Sequence, residues 1–418
     1  MEHSQRGSHL GSHGTVGTLP TEETARFHIS HLRRLASQFM KDEYTTGKAD
    51  LMTAFMLRAQ SLSRKRGLWA MINLPSWMSL KSFEDLRHDL LERQQIVSMV
   101  HLGRGIFGSD FGSVAFVVVN AVERGSRAVY RRLFEQHVDV RSVAAIEALF
   151  HDHTYNKFEV SQREFAAIPG SPIVYWLSEK MRATFGMGKP LGEISTPLVG
   201  LRTGDNNRFM RQWWEVALDR SAFGCGSLQA AAASGARWFP YNKGGAFRRW
   251  YGNHEFVVNW EHDGKEIEEG LAERYPYLVS AGKTLVRGQG RDRYFSPSVS
   301  WSDISSGAPS FRAFPTGFIH GNKGNSLFGT SSLLARLLGV MNAPCATVIL
   351  EALTPTMTAS VGDVGKTPIP DALADLPASH VEALVATART DWDESEVSWS
   401  FSSNPLVSFT QGQCVEPS

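Results

Sequence analysis

The stretch GLWAMINLPSW (67–77), with IVSMVHL (96–102) and SVAFVVVN (113–120) after it, is the clearest indicator of the fold class. Each run has the length and the apolar, often β-branched composition of a strand. Helical spacing of apolar residues precedes the first run at 51–62, and a second helix is predicted at 82–92 with Ser82 as its N-cap. This alternation predicts an α/β sheet whose last two strands pair antiparallel.

The composition is that of a globular protein with two or three domains. The 418 residues are 42% hydrophobic and 20% charged, with a formal net charge of +1. These values exclude a disordered chain, a collagen and a small disulfide scaffold. The three cysteines are odd in number and far apart, which argues against a disulfide framework or a zinc site and predicts a reducing, cytoplasmic location.

The N-terminus and the apolar runs predict neither secretion nor membrane insertion. Residues 1–22 are rich in Gly, Ser and His and have no apolar signal core, so we expect a disordered leader or an artefact of cloning or gene assignment. No apolar run approaches the ~20 residues of a membrane span. We therefore expect no membrane partner.

The second half of the chain has a different character. From residue 171 to about 350 the sequence is rich in Gly, Trp, Arg and Asn, with little helical periodicity before 333–341, which predicts a loop-rich, mostly β domain. Residues 181–250 contain ten Lys or Arg against four Asp or Glu, whereas 351–418 contain two against ten. The near-neutral total therefore hides a basic segment and an acidic tail.

Three stretches of this half combine cations with turn-forming or aromatic residues: GLRTGDNNRF (200–209), WFPYNKGGAFRRWY (238–251) and RGQGRDRYF (287–295). Cations neutralise phosphates, Arg and Asn read base edges, and aromatic rings stack on bases. Each stretch alone also fits a polar turn, a β core with solvated cations or an exposed linker. The candidate DNA-binding residues are Arg202, Thr203, Asn206, Asn207, Arg208, Lys243, Arg248, Arg249, Trp250, Arg291 and Arg293.

Known catalytic motifs are absent from the sequence. Asn73-Leu-Pro-Ser-Trp77 is similar to the Asn-Pro-Pro-aromatic motif of amino-methyltransferases, but Leu74 replaces the first proline, and a strand-ending turn explains the stretch. Gly103, Gly105 and Gly108 have GxGxxG spacing, but a strand-like run follows them rather than a helix. No P-loop, HExxH, GxSxG or paired CxxC occurs. Hydride transfer, phosphoryl transfer and zinc-dependent hydrolysis therefore have no support.

Several long stretches resemble the PglX family, the adenine-specific DNA methyltransferases of BREX phage-defence systems. They include ADLMTAFMLRAQSL, GLWAMINLPSWMSLKSFEDLR, KPLGEISTPLVGLRTGDNNRF, WFPYNKGGAFRRWYGN and DWDESEVSWSF, between about residues 50 and 406. The resemblance implies a partial Rossmann-like methyltransferase sheet at 23–170, a β-rich target-recognition domain at 171–370 and the start of a helical, acidic C-terminal region at 371–418. It implies S-adenosylmethionine as cofactor and double-stranded DNA as partner, with other phage-defence proteins as further partners.

The resemblance also implies roles for individual residues. Phe107 matches the aromatic residue that stacks on a flipped adenine, a role that suits a base removed from its neighbours. Asp50 and Leu51 match a segment that lines the active-site cleft. Taken without the resemblance, Phe107 is equally a core or loop residue.

Two hallmarks of the family do not occur in this sequence. They are the Asp-Pro-x-x-Gly-x-Gly cofactor loop and a true Asn-Pro-Pro-Tyr. We therefore expect an internal piece of a methyltransferase that cannot methylate by itself. The alternatives are a non-catalytic DNA-binding or specificity module, a decayed gene fragment, or a nuclease, and the last would need a clustered acidic metal site that no PD-(D/E)xK-like pattern supplies.

Overall fold

The computed structural model describes residues 34–108, 112–123, 125–135, 139–280, 290–305, 309–354 and 358–410. The predicted leader at 1–22 and Arg287 lie outside these residues. The chain divides into two compact units, Met1–Arg64 and Lys65–Ser418.

The described part of the first unit is helical. It contains α1 (34–43) and α2 (Leu51–Leu62), so the predicted helix at 51–62 is confirmed. Asp50 caps α2, because its Oδ1 accepts a hydrogen bond from the backbone N of Met52 at 2.9 Å. The hydroxyl of Thr53 donates to the carbonyl oxygen of Gly47 at 2.7 Å and so fixes the turn before the helix.

The second unit begins with a five-stranded sheet. Its strands are β1 (Leu68–Asn73), β2 (Gln95–Gly103), β3 (Ser113–Val119), β4 (Ala128–Arg132) and β5 (Lys157–Val160). In the order β1-β3-β2-β4-β5, β3 is antiparallel to both of its neighbours, while β4 is parallel to β2. The three predicted strands and the antiparallel pairing of the last two are confirmed.

The segment between β1 and β2 corrects one prediction. Helix α3 spans Glu84–Arg93 and its N-cap is Phe83, without a side-chain cap bond. Ser82 lies instead in a 3-10 turn, Lys81–Phe83. The ring of Phe83 is 5% exposed, and its burial favours this turn at the expense of a serine cap.

The stretch at 73–77 is a strand-ending turn, as predicted. A 3-10 turn, Pro75–Met78, follows β1 directly. The ring of Trp77 is fully buried and lies 5.1 Å from the ring of Phe116 between centroids. The tryptophan therefore belongs to the core of the sheet.

The rest of the second unit contains shorter elements. Its helices are α4 (Val143–His151), α5 (Arg163–Ala166), α6 (Glu179–Ala183), α7 (Leu191–Ile194), α8 (Asn206–Phe209), α9 (Leu228–Ser234), α10 (Glu261–Arg274), α11 (Pro276–Ser280), α12 (Ser331–Met341), α13 (Pro344–Leu353), α14 (Val361–Val364), α15 (Ala378–Asp393) and α16 (Pro405–Thr410). Its strands are β6 (Gly188–Pro190), β7 (Met210–Gln212), β8 (Trp238–Asn242), β9 (Phe256–Asn259), β10 (Ser298–Ser302), β11 (Phe311–Phe314), β12 (Ile319–His320), β13 (Gly324–Leu327) and β14 (Pro368–Pro370).

Helices and small sheets together make up this region, so the prediction of a mostly β domain is wrong and the region is mixed α/β. One has the order β12-β8-β9-β7, a second has the order β11-β10-β13, and β6 pairs with β14. The predicted helix at 333–341 is confirmed as α12. The prediction missed α10, because its buried apolar face is reduced to Ile267 and Leu271, besides Gly264, and gives a weak helical pattern.

Strand β10 has one apolar and one polar face. Val299 and Trp301 belong to a buried cluster that includes α12. Ser300 and Ser302 point the other way, as alternate residues of a strand must. Ser300 bonds to Asn242 at the end of β8, and Ser302 bonds to Gly245 in the turn after that strand. All four are buried, so β10 carries a buried polar layer under the turn that follows β8.

In the described part of the chain, no single helix is long and apolar enough to cross a bilayer. Helices α12 and α13 meet that length and composition only as a pair, and they are bent by 77° relative to each other. Their apolar residues Leu337 and Leu350 are buried in the protein core.

Candidate nucleic-acid interface

The turn after β8 has one well-defined shape. Asn242 accepts a hydrogen bond at Oδ1 from the backbone N of Gly244 at 3.0 Å, and it donates from Nδ2 to Ser300 Oγ at 2.6 Å. Gly244 and Gly245 have φ of 81° and 142°, and a Cβ on Gly244 would lie 2.4 Å from the carbonyl oxygen of Lys323. Glycine is required here by backbone conformation and by space.

Two other loops meet this turn. The carbonyl oxygen of Leu201 accepts hydrogen bonds from the backbone N of Asn322 and from the hydroxyl of Tyr241, both at 3.0 Å. The backbone N of Gly321 donates to the carbonyl oxygen of Asn242 at 2.9 Å. The structure therefore brings together the first two of the three candidate stretches, together with a loop that the sequence analysis did not identify.

The first stretch divides into exposed and buried candidates. Thr203 is 3% exposed and donates from its hydroxyl to Asn206 Oδ1 at 2.6 Å, so it positions the turn. Asp205 caps α8, because its Oδ1 accepts from the backbone N of Arg208 at 3.1 Å. The exposed candidates of this stretch are Arg202, Asn206, Asn207 and Arg208.

Arg248 connects the basic stretch to the acidic tail. Its guanidinium lies over the ring of Trp392 at 4.8 Å from the centroid, and its Nη1 is 3.5 Å from Asp391 Oδ2. The side chain of Asp391 is 77% exposed, and surface pairs of this kind contribute little to stability. Arg248 thus remains 39% exposed and close to solvent.

The other candidates of this stretch have different surroundings. The guanidinium of Arg249 lies over the ring of Phe247 at 5.6 Å, and Lys243 Nζ lies over the ring of Phe256 at 5.0 Å. Phe247 is 61% exposed, which leaves a cation and a ring together at the surface. Trp250 is half-buried and packs against the apolar cluster around β10, so its ring stabilises the domain.

The third stretch lies near the other two. Gly290 packs against His320, since a Cβ on the glycine would be 3.0 Å from the imidazole Nε2. Arg291 pairs with Asp263 and is 25% exposed, whereas Arg293 is 56% exposed and its Nε is 3.4 Å from Asp292 Oδ2. Arg293 is therefore the more accessible of the two cations.

Phe107 stands out in the first sheet of the second unit. It lies between β2 and β3 with φ of 57°, a conformation that is unfavourable for a residue with a Cβ. Its ring is 72% exposed. The preceding Gly105 has φ of 102°, and a Cβ there would lie 2.0 Å from the carbonyl oxygen of Arg141. The loop therefore holds a large aromatic ring in solvent at a cost in backbone strain.

Asp50 and Leu51 have local roles in the first unit. The carboxylate of Asp50 caps α2, as described above, and Leu51 is 59% exposed at the first position of that helix. An exposed apolar residue at a helix start is available to line a cleft. The described residues carry no further sign of that role.

Sequence reasoning missed two features of the interface. The turn Asn322-Lys-Gly324 repeats the Asn-Lys-Gly of residues 242–244, and it follows β12, which is parallel to β8. Lys323 is 47% exposed, and its Nζ is 2.7 Å from Asp303 Oδ2. A search for short repeats next to strand-like runs would have found this second turn. Arg312, which is fully buried, gave no sequence signal.

Cofactor and metal ligands are not evident in this part of the molecule. No group of three His, Cys, Asp or Glu side chains among the described residues could hold a metal ion. The glycine-rich turn after β2 leads into β3 rather than into a helix, so it lacks the helix N-terminus that cradles the charged groups of a nucleotide-like ligand. This turn therefore does not fit S-adenosylmethionine.

Comparison with known proteins gives one family model and close relatives. Residues 27–107 match the model of the Eco57I restriction-modification methylase. The chain is 34% identical over 378 residues to the adenine-specific methyltransferase PglX of Lacticaseibacillus casei (strain Zhang), covering 89% of this chain and 31% of that protein. It is 30% identical over 378 residues to the adenine-specific methyltransferase BrxX of Escherichia coli O9:H4 (strain HS), covering 88% of this chain and 29% of that protein.

These matches confirm the resemblance to PglX methyltransferases. The chain spans about three-tenths of the length of either relative. Among solved structures, the DrdV–DNA complex has a TM-score of 0.46 and 9% identity, covering 84% of this chain and 41% of that one. Similarity at that level carries no further conclusion.

Proposed function

We propose that this chain, which resembles the PglX adenine-specific methyltransferases over nearly nine-tenths of its length, is the part of such an enzyme that supports the target base and binds DNA. The parent reaction is methyl transfer from S-adenosylmethionine to adenine N6, within a phage-defence system. The match to two adenine-specific methyltransferases carries this proposal.

The first sheet supports a methyltransferase role for residues 23–170. Strand β3 lies antiparallel between β1 and β2, which are parallel to each other. This arrangement supports the assignment of these strands to the second half of a Rossmann-like methyltransferase sheet. The exposed ring of Phe107 leaves this sheet at the loop before β3, where it stacks on an adenine turned out of the duplex.

The pairing of two strands from near the two ends of residues 171–370 supports a recognition role for this segment. Strand β6, near its start, pairs with β14, at its end. The loops of the candidate interface lie between these two strands in the sequence. Exposed Arg202, Arg208 and Arg293 provide cations for phosphates, and Asn206 and Asn207 provide amides for base edges.

Salt-dependent DNA binding tests the recognition role. Fluorescence anisotropy with a labelled duplex should show binding that weakens as salt rises. Charge reversal at Arg248 and Arg249 should weaken it by roughly tenfold or more, because two phosphate contacts become repulsive. The matched control reverses Arg66 and Arg93, which are 74% and 70% exposed. Absence of binding at low salt, or equal effects of the two double variants, would contradict the proposal.

The other candidate is a DNA-binding or specificity module without catalysis, which the lack of a cofactor cradle in the described residues favours. For this polypeptide alone we expect no transfer of radiolabelled methyl groups to DNA. Calorimetry with S-adenosylmethionine separates the two candidates. A binding heat favours the methyltransferase part, whereas the absence of a heat favours the module without catalysis.

A further inference from the structure

In the turn at 244–247, two carbonyl groups accept hydrogen bonds, whereas three N–H groups donate none within the described residues. The carbonyl oxygen of Gly245 accepts from Ser302 Oγ at 2.7 Å, and that of Ala246 accepts from Asn253 Nδ2 at 3.0 Å. The backbone N–H groups of Gly245, Ala246 and Phe247 have no acceptor among the described residues. These three residues are exposed. Two successive carbonyl groups therefore accept hydrogen bonds from protein side chains, while the three successive N–H groups of residues 245–247 are free to donate to a ligand.

A buried positive charge lies beneath this turn. Arg312 on β11 is fully buried, and its Nη2 donates to Ser302 Oγ at 2.8 Å. Its Nε and Nη1 have no hydrogen-bond partner in the described structure, and none of the ion pairs found there involves it. Hydrogen bonds thus run from the guanidinium through Ser302 to the carbonyl oxygen of Gly245.

The charge of Arg312 persists at neutral pH. Burial, with the nearby charge of Arg248, lowers the pKa of Arg312 to about 10, so the guanidinium stays protonated. A buried charge without a counter-ion is costly, and in a low-dielectric setting its field reaches further than in water. An anion at the turn would offset that cost.

We propose that the turn Gly244–Phe247 is a phosphate site, in which successive backbone N–H groups contact a DNA phosphodiester and Arg312 supplies positive charge from beneath. This inference rests on the proposed DNA-binding function. Successive free N–H groups in a turn form a concavity for anions. The exposed Phe247 ring and the cations of Lys243 and Arg249 beside the turn fit a long polyanion with bases better than a small enclosed anion.

Two pairs of variants, each with a test and a conservative control, separate the two parts of the site. Ala246→Pro removes one N–H without changing a side-chain contact, and Ala246→Ser keeps that N–H. Arg312→Met removes the buried charge, and Arg312→Lys keeps it. In anisotropy with a labelled duplex at about 100 mM salt, we expect Ala246→Pro and Arg312→Met each to reduce affinity ~3–10-fold, and Arg312→Met to flatten the slope of log K against log salt by up to ~0.9. The conservative variants should stay within about twofold of wild type.

Stability gives a second readout. If Arg312 were a structural clamp, Arg312→Met would lower the melting temperature and leave the affinity of the folded fraction unchanged. At a phosphate site the melting temperature is kept or rises, because an unpaired buried charge is removed. If the Arg312→Met variant fails to fold, the affinity of the Ala246→Pro variant alone tests the phosphate site. Residue 246 is exposed, so we expect this variant to fold.

The failure of this inference differs from failure of DNA binding as such. Wild-type protein that binds DNA, with the Ala246→Pro and Arg312→Met variants binding equally well, overturns the phosphate site alone. Wild-type protein that does not bind DNA overturns the proposed function. Inorganic phosphate at about 1 mM that raises the melting temperature of the wild type, but not that of the Ala246→Pro variant, would assign the turn to free phosphate and overturn the DNA assignment.

Discussion

Arg87 donates two hydrogen bonds to one carbonyl oxygen, that of Gly170, from Nε at 2.9 Å and from Nη2 at 2.7 Å. Its Nη1 donates to the carbonyl oxygens of Trp77 at 2.9 Å and Leu80 at 2.7 Å. The side chain is fully buried. One residue of α3 therefore ties the turn after β1 to Gly170, which lies 83 residues after Arg87 in the chain.

Replacing this arginine should destabilise the protein strongly. Arg87→Met removes the donor to the carbonyl oxygens of Gly170 and Trp77 and one of the two donors to that of Leu80, which we expect to lower the free energy of unfolding by about 3–5 kcal/mol. The urea midpoint of unfolding measures the change. Arg93→Met on the same helix is the control, because Arg93 is 70% exposed and should change that free energy by less than about 0.5 kcal/mol. Equal midpoints for both variants would refute the clamp.

Two neighbouring residues of the first candidate stretch should respond in opposite ways. Arg202→Gln removes an exposed cation, so DNA affinity should fall by ~2–5-fold with an unchanged melting temperature. Thr203→Val removes the buried donor to Asn206, which should cost about 1–2 kcal/mol of stability. The Thr203→Val variant should lose affinity only through unfolding, so binding measured below its melting temperature should be near that of wild type. A loss of affinity in the folded Thr203→Val variant would show instead that DNA binding needs this hydroxyl, either directly or through the Asn206 side chain that it holds.

Acid should destabilise the protein through buried histidines. Burial, assisted by Arg312 and Arg389, lowers the pKa of His254 from 6.5 to about 3. The folded state therefore keeps this imidazole neutral, while the unfolded state binds a proton below pH 6.5. Stability is complete above that pH and falls as the pH drops, by about 2 kcal/mol between pH 6.5 and 5. The urea midpoint followed across this range should fall less steeply for His254→Phe, whereas His88→Asn, at an exposed position, should keep the wild-type slope.

The exposed ring of Phe107 should matter for a displaced base and not for folding. Phe107→Ala should leave the melting temperature within a few degrees of wild type, because the ring is 72% exposed. Loss of stacking should reduce any preference for a duplex with an unpaired adenine over a matched duplex, by ~1–3 kcal/mol, and Phe107→Trp should keep that preference. A large fall in melting temperature for Phe107→Ala would show that the ring has a structural role.

The first sheet was predictable because its apolar runs have strand length and its breaks have turn residues. Strands at 68–73, 95–103 and 113–119 follow from local pattern alone. The start of α3 did not follow, because the burial of Phe83 outweighed the capping preference of Ser82. The free energy gained by burying a large ring can exceed that of a helix cap, so capping preference alone does not fix where a helix begins.

The interface was predictable only in part. Composition identified exposed Arg202 and Arg208, since cations near turn residues are visible in one segment. It could not tell that Thr203 is buried or that Trp250 packs against a core, because both facts depend on strands far away in sequence. Arg312 was invisible for the same reason: a lone arginine in a β-like run resembles a surface residue until its neighbours are known.

The hydrogen bonds of Asn242 have a consequence for the order of events during synthesis. Its Nδ2 donates to Ser300 Oγ, 58 residues away, and is 3.3 Å from the carbonyl oxygen of Gly324, 82 residues away. Contacts that close such long loops form late in folding. A nascent chain that has not yet reached Gly324 already carries the whole Asn-Lys-Gly-Gly sequence, but it cannot yet give that sequence its shape. The growing polypeptide therefore forms this part of its basic surface only after synthesis has passed Gly324.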